Sequence, residues 1–219
     1  MDKMIFESKR ALIFDIDGTL WDATEQLCEV WNNVIRSLGI ERRLTAGEVR
    51  SIMGKTIEET SEIFFSDFPK EQGLSIMRKC AEEQIGYLAR HGARLYDGVS
   101  ETLKALSATY DLYIVSNCPV GYVEAFVNSS HLTDIFMDYE MSGRTGKSKG
   151  ENISLLMSRN HLSYCIYIGD TQGDEQAART ADIPFIHAAY GFGTAAHPDA
   201  TIHDFRELTS LIPYCPLLR

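Results

Sequence analysis

No stretch of this sequence sustains the roughly 18 apolar residues that a bilayer-spanning helix requires. Residues 1–10 carry charge where a secretory leader would carry an apolar run. Both absences argue for the cytoplasm. Cysteine is sparse and unpatterned: Cys28, Cys80, Cys118, Cys165 and Cys215 are odd in number and have no Cys-x-x-Cys spacing. That argues against a disulfide scaffold or a zinc site, so reduced thiols are expected. Basic residues are outnumbered, 21 against 31 acidic ones, giving a net charge of −10. So acidic a chain is a poor ligand for nucleic acid or an anionic membrane. Repeats, low-complexity tracts and heptad runs are lacking too, and with them any sign of a filament. What remains is 219 residues at 44% hydrophobic content, enough for one good core and a small satellite domain.

The run Ala11-Leu12-Ile13-Phe14-Asp15-Ile16-Asp17-Gly18-Thr19-Leu20 begins apolar and ends in two carboxylates and a glycine. An apolar run of this kind suits a central strand of a parallel sheet, covered on both faces. If extended geometry persists, Asp15 and Asp17 point to the same side. Such a pair calls for a cation or a shared proton; the plainer reading is an Asp-rich turn. Two further strand-like runs end in comparable chemistry: residues 164–168 lead into Gly169-Asp170, with Asp174 beyond, and residues 112–115 lead into Ser116-Asn117. Between these two lies the segment Gly143-Arg144-Thr145-Gly146-Lys147-Ser148-Lys149-Gly150. Ligands of open α/β sheets bind beyond the carboxyl ends of strands, so these tips can converge on one site.

Four motifs in this order make the chain resemble the haloacid dehalogenase superfamily, in its branch of phosphoglycolate phosphatase-like enzymes. They are Asp15 to Leu20, Ser116, a lysine, and Gly169-Asp170-Thr171-Gln172-Gly173-Asp174. The resemblance implies that Asp15 is a nucleophile forming an aspartyl-phosphate, and that Asp17 is the acid that protonates the leaving alcohol and then the base that activates water. It implies that Gly18, Ser116, Asn117 and the lysine bind phosphate, with the Gly18 N–H donating to the phosphoryl oxygens. Lys149, just before a helical stretch, is preferred as that lysine; Lys147 competes, because the proline-rich context common in relatives is missing. The all-oxygen constellation suits Mg²⁺. By resemblance its ligands are the Asp15 carboxylate, the Asp17 carbonyl and Asp170, with Asp174 acting through water or positioning Asp170. Asp174 reads equally well as an acidic residue of a helix's first turn, and Ser116 as a helix N-cap before Pro119. In so acidic a chain, Mg²⁺ and the lysine must reverse the field locally for an anionic substrate.

The periodicity predicts helices over residues 22–38, 45–53, 56–65 and 70–89 with no convincing strand among them. From residue 96 onward helices (99–108, 119–128, 151–160, 173–181) alternate with strands (111–116, 135–140, 164–169, 183–188). The expected architecture is therefore α/β: a doubly wound parallel-sheet, Rossmann-like core of residues 1–20 and 92–219, and a small all-helical cap domain of residues 21–91. Trp31 reads as core and Trp21 as a residue lining the opening between cap and core. Lys55, Arg42, Arg43 and Arg50 are candidates for substrate groups beyond the phosphate, though solvated side chains read as well there. His187 and the loop Tyr190-Gly191-Phe192-Gly193 are expected to shape the rim, and Cys118 to pack.

The resulting expectation is a Mg²⁺-dependent phosphatase acting on a small phosphorylated metabolite, phosphoglycolate-like or a sugar phosphate. A sugar-phosphate mutase sharing the intermediate and a noncatalytic phosphate-binding protein are the alternatives. Thr19 weakly favours hydrolysis over mutase chemistry. Asp17 argues against a phosphonate-cleaving relative, which carries alanine there, and the second acid with its metal constellation argues against a dehalogenase. Neither the substrate nor the oligomeric state is written in the sequence.

Overall fold

The apolar run near the start of the chain forms the strand that the rest of the sheet is built around. In the computed structural model, which describes residues 10–212, β1 (Arg10–Phe14) is buried on both faces. A two-residue strand β2 (Trp21–Asp22) follows, then helices α1 (Thr24–Ser37), α2 (Ala46–Ser51), α3 (Ile57–Phe64) and α4 (Lys70–His91), and a second short strand β3 (Arg94–Leu95). From there helices and strands alternate: α5 (Val99–Ser107), β4 (Asp111–Ser116), α6 (Tyr122–Ser129), β5 (Phe136–Met141), α7 (Ser142–Thr145), α8 (Lys149–Arg159), β6 (Tyr164–Gly169), α9 (Gln172–Thr180), β7 (Phe185–Ala188) and β8 (Ala200–Ile202). A 3₁₀ turn at Phe205–Glu207 leads into α10 (Leu208–Leu211).

The main sheet is parallel throughout, in the order β5-β4-β1-β6-β7-β8. Alternate residues of its strands feed two cores. Leu12, Phe14, Ile114, Ile166 and Ile168 face the first, with α5 and α6; Ala11, Ile13, Tyr113, Val115 and Tyr167 face the second, with Ile153 and Leu156 of α8 and Ala177 and Ala178 of α9. Burial of both faces by helices is what a doubly wound α/β sheet requires. The strand order reverses beside β1, so the carboxyl ends of β4, β1 and β6 lie side by side there.

The four helices between β2 and β3 pack mainly on each other: α1 and α3 both lie along α4, and α4 also leans on α6. Trp31 on α1 is buried and donates its indole N–H to Gln84 Oε1 of α4 at 2.7 Å. Reciprocal capping boxes start α2 (Thr45, Glu48) and α3 (Thr56, Glu59), which explains why these short helices begin where they do.

Several local expectations are corrected. Asp22 does not open the first helix; with Trp21 it pairs antiparallel with Arg94–Leu95. Trp21 lines no opening: it is fully buried, edge-on to Tyr122 at 5.6 Å and to Phe126 at 5.0 Å. The helix expected from residue 119 starts at Tyr122, with Gly121 (φ 93°) as its N-cap, so Ser116 does not cap it. Strand β8 and helices α7 and α10 carry no periodicity long enough to read. Cys215 and the reading of residues 1–9 lie outside the described residues. Among the described residues no helix is long and apolar enough to cross a membrane.

Candidate active site

Asp15 continues β1 by one residue, its N–H still bonded to the Ile168 carbonyl at 2.9 Å. The chain then turns sharply: the Ile16 carbonyl accepts from the N–H groups of Thr19, Leu20 and Trp21, and Gly18 adopts φ 82°. The Gly18 N–H donates to the Trp21 carbonyl at 2.9 Å and is therefore spent in the turn, which corrects the expectation that it points at a phosphoryl oxygen. What Gly18 supplies is space. A Cβ at this position would fall 2.1 Å from Asp170 Oδ2 and 2.7 Å from the Phe192 ring.

The turn separates the two acids. Asp15 is 1% exposed. The Lys149 ammonium stands 3.1 Å from Asp15 Oδ1 and 2.6 Å from Asp174 Oδ1. Lys149 is the first residue of α8, placed there by the Ser148–Glu151 capping box, and is buried, whereas Lys147 is exposed. Asp17 turns the other way. Its Oδ1 accepts from the Trp21 indole at 2.9 Å and from the Tyr122 hydroxyl at 2.6 Å. Both donors come from buried aromatic residues: Trp21, which the sequence suggested only as lining an opening, and Tyr122, which it did not suggest at all. Tyr122 is 105 residues away, so no local spacing could have found it.

Asp170 follows β6 and is fully buried. Its Oδ2 accepts from the Phe192 N–H at 2.7 Å, its Oδ1 lies 3.4 Å from the Thr19 hydroxyl, and His187 Nε2 lies 3.1 Å from its carbonyl oxygen. The loop after β7 thus holds an acid in place. Asp174 combines both of its sequence readings. It is the capping-box acid of α9, with Oδ2 accepting from the Thr171 N–H, the Thr171 hydroxyl and the Asp170 N–H, and its other oxygen faces Lys149.

Asp15, Asp170 and Asp174 each offer one oxygen within 4.8 Å of the others. The Asp17 carboxylate is outside this trio. Burial is the main force on all four acids, and it favours their neutral forms. It raises Asp15 to about 6, against the nearby Lys149 charge and with the help of Asp174. It raises Asp17 to about 7, opposed by the Tyr122 hydroxyl and helped by Asp15. Asp170 is pushed well above the usual carboxylate range by burial and then by Asp174 and Asp15. Only Asp174 is held low, because Lys149 overrides its burial. Burial also opposes the Lys149 charge, but Asp15 and Asp174 more than offset it. Three buried carboxylates against one ammonium leave negative charge that the protein itself does not balance.

Ser116 ends β4 as a buried residue beside Asp15. The Asn117 side chain is committed: its Nδ2 donates to the Gly54 carbonyl at 2.9 Å, and its Oδ1 accepts from Ser142 at 2.7 Å. It ties the loop before α3 to the sheet. Cys118 is buried, and burial pushes its thiol far up, which suits packing and not reactivity. Of the basic candidates, Arg50 stacks on Phe192 at 4.6 Å and pairs with Asp22, Arg42 pairs with Glu48, and Arg43 and Lys55 are exposed.

A family model described as haloacid dehalogenase-like hydrolase matches residues 12–188. Among curated proteins, the phosphoglycolate phosphatase of Photobacterium profundum is 26% identical over 226 residues, covering 94% of this chain and 97% of the relative. That of Salmonella typhimurium is 26% identical over 239 residues, covering 95% and 93%. Among solved structures, a haloacid dehalogenase-like family protein from Streptococcus pneumoniae superposes with a TM-score of 0.79 at 24% identity, covering 93% of this chain and 98% of that one. CbbY from Rhodobacter sphaeroides, in complex with phosphate, does so with a TM-score of 0.77 at 20% identity, covering 91% and 96%.

Proposed function

Because the chain belongs to the haloacid dehalogenase-like hydrolases and is a phosphoric monoester hydrolase, we propose that it cleaves a small phosphorylated metabolite through an aspartyl-phosphate on Asp15. The observation that carries this reading is the state of Asp15: a buried carboxylate at a strand tip, 3.1 Å from a buried ammonium and beside the buried Ser116. Such a group is held in place and left chemically available. In the first step an Asp15 oxygen bonds to phosphorus as the ester P–O bond breaks, and the Asp17 proton goes to the departing alkoxide. In the second, a water oxygen attacks the same phosphorus while Asp17 takes its proton, releasing phosphate and restoring Asp15. Ser116 and Lys149 hold the phosphoryl oxygens.

The residues present fit a divalent cation. Asp15, Asp170 and Asp174 give a hard, all-oxygen donor set, and the raised Asp170 marks negative charge still to be balanced. Asp15, Asp170 and the Asp17 carbonyl would hold Mg²⁺, with Asp174 orienting the Asp170 segment through its N–H. When bound, the ion would neutralise phosphoryl charge as it develops. We take residues 1–20 and 92–219 as the catalytic core and residues 21–91 as a helical cap. The β2–β3 pair supports this division, because it brings both chain crossings to one place.

The test is phosphate release from a panel of phosphomonoesters, with Mg²⁺ or EDTA and with Asp15→Asn in parallel. Metal-dependent turnover that Asp15→Asn abolishes is the expected result. Turnover that survives the substitution would overturn the assignment of the nucleophile.

A further inference from the structure

Beyond Asp17 and Ser116 a narrow cavity of about 60 Å³ runs beneath the four helices. About 10–15 Å³ of such space admits one water molecule, so the cavity admits a group of a few non-hydrogen atoms. Because Asp17 and Ser116 both line it, the cavity lies beside the proposed acid, where the alcohol of a cleaved ester would sit. Its walls are apolar, with Leu27 from α1, Ile52 after α2, and Met77 and Ala81 from α4, all buried.

Two buried polar residues of the helices interrupt these walls. Thr60 of α3 and Gln84 of α4 are 3% and 4% exposed. The Gln84 amide can be oriented without ambiguity: the Trp31 indole N–H only donates, so the atom 2.7 Å from it is Oε1. Gln84 Nε2 is then a fixed donor, and among the described residues neither it nor Thr60 Oγ1 has a hydrogen-bond partner. Both residues line the cavity, and these two groups are left for whatever occupies it. One hydroxyl could serve both, accepting from Gln84 Nε2 and donating to Thr60 Oγ1.

A carboxylate fits this environment poorly. It would lose its hydration against apolar walls, at a cost that only a buried counter-charge offsets. Lys55 is the cation on the lining and is exposed, while Arg42 and Arg50 are off the lining and paired with Glu48 and Asp22.

Resting on the phosphatase reading above, we propose that the preferred substrate is the phosphate ester of a small, neutral, hydroxyl-bearing alcohol, with Gln84 and Thr60 as its specificity determinants. The test is kcat/KM on a matched pair, 2-hydroxyethyl phosphate and phosphoglycolate, which differ by a neutral CH₂OH against a carboxylate. Methyl phosphate, which leaves the cavity empty, is the third compound. The hydroxyl compound is expected to lead phosphoglycolate by about tenfold or more, and Gln84→Leu to collapse that ratio to about threefold or less. Parity, or a lead for phosphoglycolate, overturns the proposal while leaving the phosphatase reading intact. Failure to release phosphate from all three compounds overturns the phosphatase reading and the proposal with it. Should Gln84→Leu fail to fold, since it strands the Trp31 indole, the wild-type ratio decides alone.

Discussion

A Tyr122→Phe substitution removes one of the two donors that hold Asp17 Oδ1, the hydroxyl at 2.6 Å, and leaves the Trp21 indole at 2.9 Å. Both donors converge on one oxygen, so a proton carried by Asp17 belongs on Oδ2, and the pair selects which oxygen serves the leaving group. A hydrogen bond to a charged group contributes about 1.5–3 kcal/mol. At about 1.4 kcal/mol per tenfold, its loss slows cleavage by about 10- to 100-fold where the departing alkoxide needs that proton. p-Nitrophenyl phosphate departs as a stable phenolate and needs no such help, so its rate is expected to stay within about threefold. The assay is kcat/KM on an alkyl ester and on the nitrophenyl ester, because this parameter excludes the later hydrolysis of the intermediate. Phenylalanine keeps the edge-on contact with Trp21, so the fold survives. The pH profile is a second readout. Asp17 stands at about 7, raised chiefly by burial and restrained by the Tyr122 hydroxyl. Without that hydroxyl it rises further, and an acid that works only while protonated stays active to higher pH. Equal losses on both esters, with the alkaline limb unmoved, would refute the assignment of Asp17 as an oriented acid.

The metal reading predicts opposite effects of Asp170→Asn with and without Mg²⁺. The variant removes a buried carboxyl whose charged form the fold does not support, so without metal its melting temperature is expected to equal or exceed that of the wild type. The rise in melting temperature that Mg²⁺ confers on the wild type is expected to vanish; a full Mg²⁺-dependent rise in the variant would count against the site. A second effect lies far from the chemistry. Burial raises the Asp138 carboxyl, but hydrogen bonds from Arg159 and Asn160 override it and hold the group below 3.8. A depressed acid contributes stability that is present above its unfolded value and lost as pH falls through the folded one. Asp138→Asn should therefore melt below the wild type at pH 7, with the difference shrinking below about pH 4. A pH-independent difference would show that the ion pair is not its source.

The elements that sequence alone revealed are those whose signal is local. Strand β1 could be read because an apolar run stops abruptly at Asp15, and β4 and β6 for the same reason at Ser116 and Gly169. With three strands adjacent in one parallel sheet, their tips had to meet. Lys149 was preferred over Lys147 for its place before a helix, and the Ser148–Glu151 capping box is the physical form of that signal. Trp21 was misplaced because its burial depends on a two-residue pairing with Arg94–Leu95, more than 70 residues away, too short and too distant for any pattern. The Gly18 N–H was misassigned for a related reason. A tight turn consumes its own donors, and which ones it consumes is fixed only by the turn's geometry.

The helical segment was the quietest part of the sequence, and the cavity explains why. Its distinguishing groups are a threonine and a glutamine inside ordinary helices, residue types that carry no motif and that equally well face solvent on helices of this kind. Their meaning comes from Trp31, 53 residues before Gln84, whose indole can only donate and so fixes the direction of the amide. A catalytic site built from strand tips repeats its spacing from protein to protein, because the sheet imposes it. A specificity pocket built between packed helices has no such template. Its chemistry is set by which polar atoms the packing leaves without a partner, and that can be read only once the helices are in place.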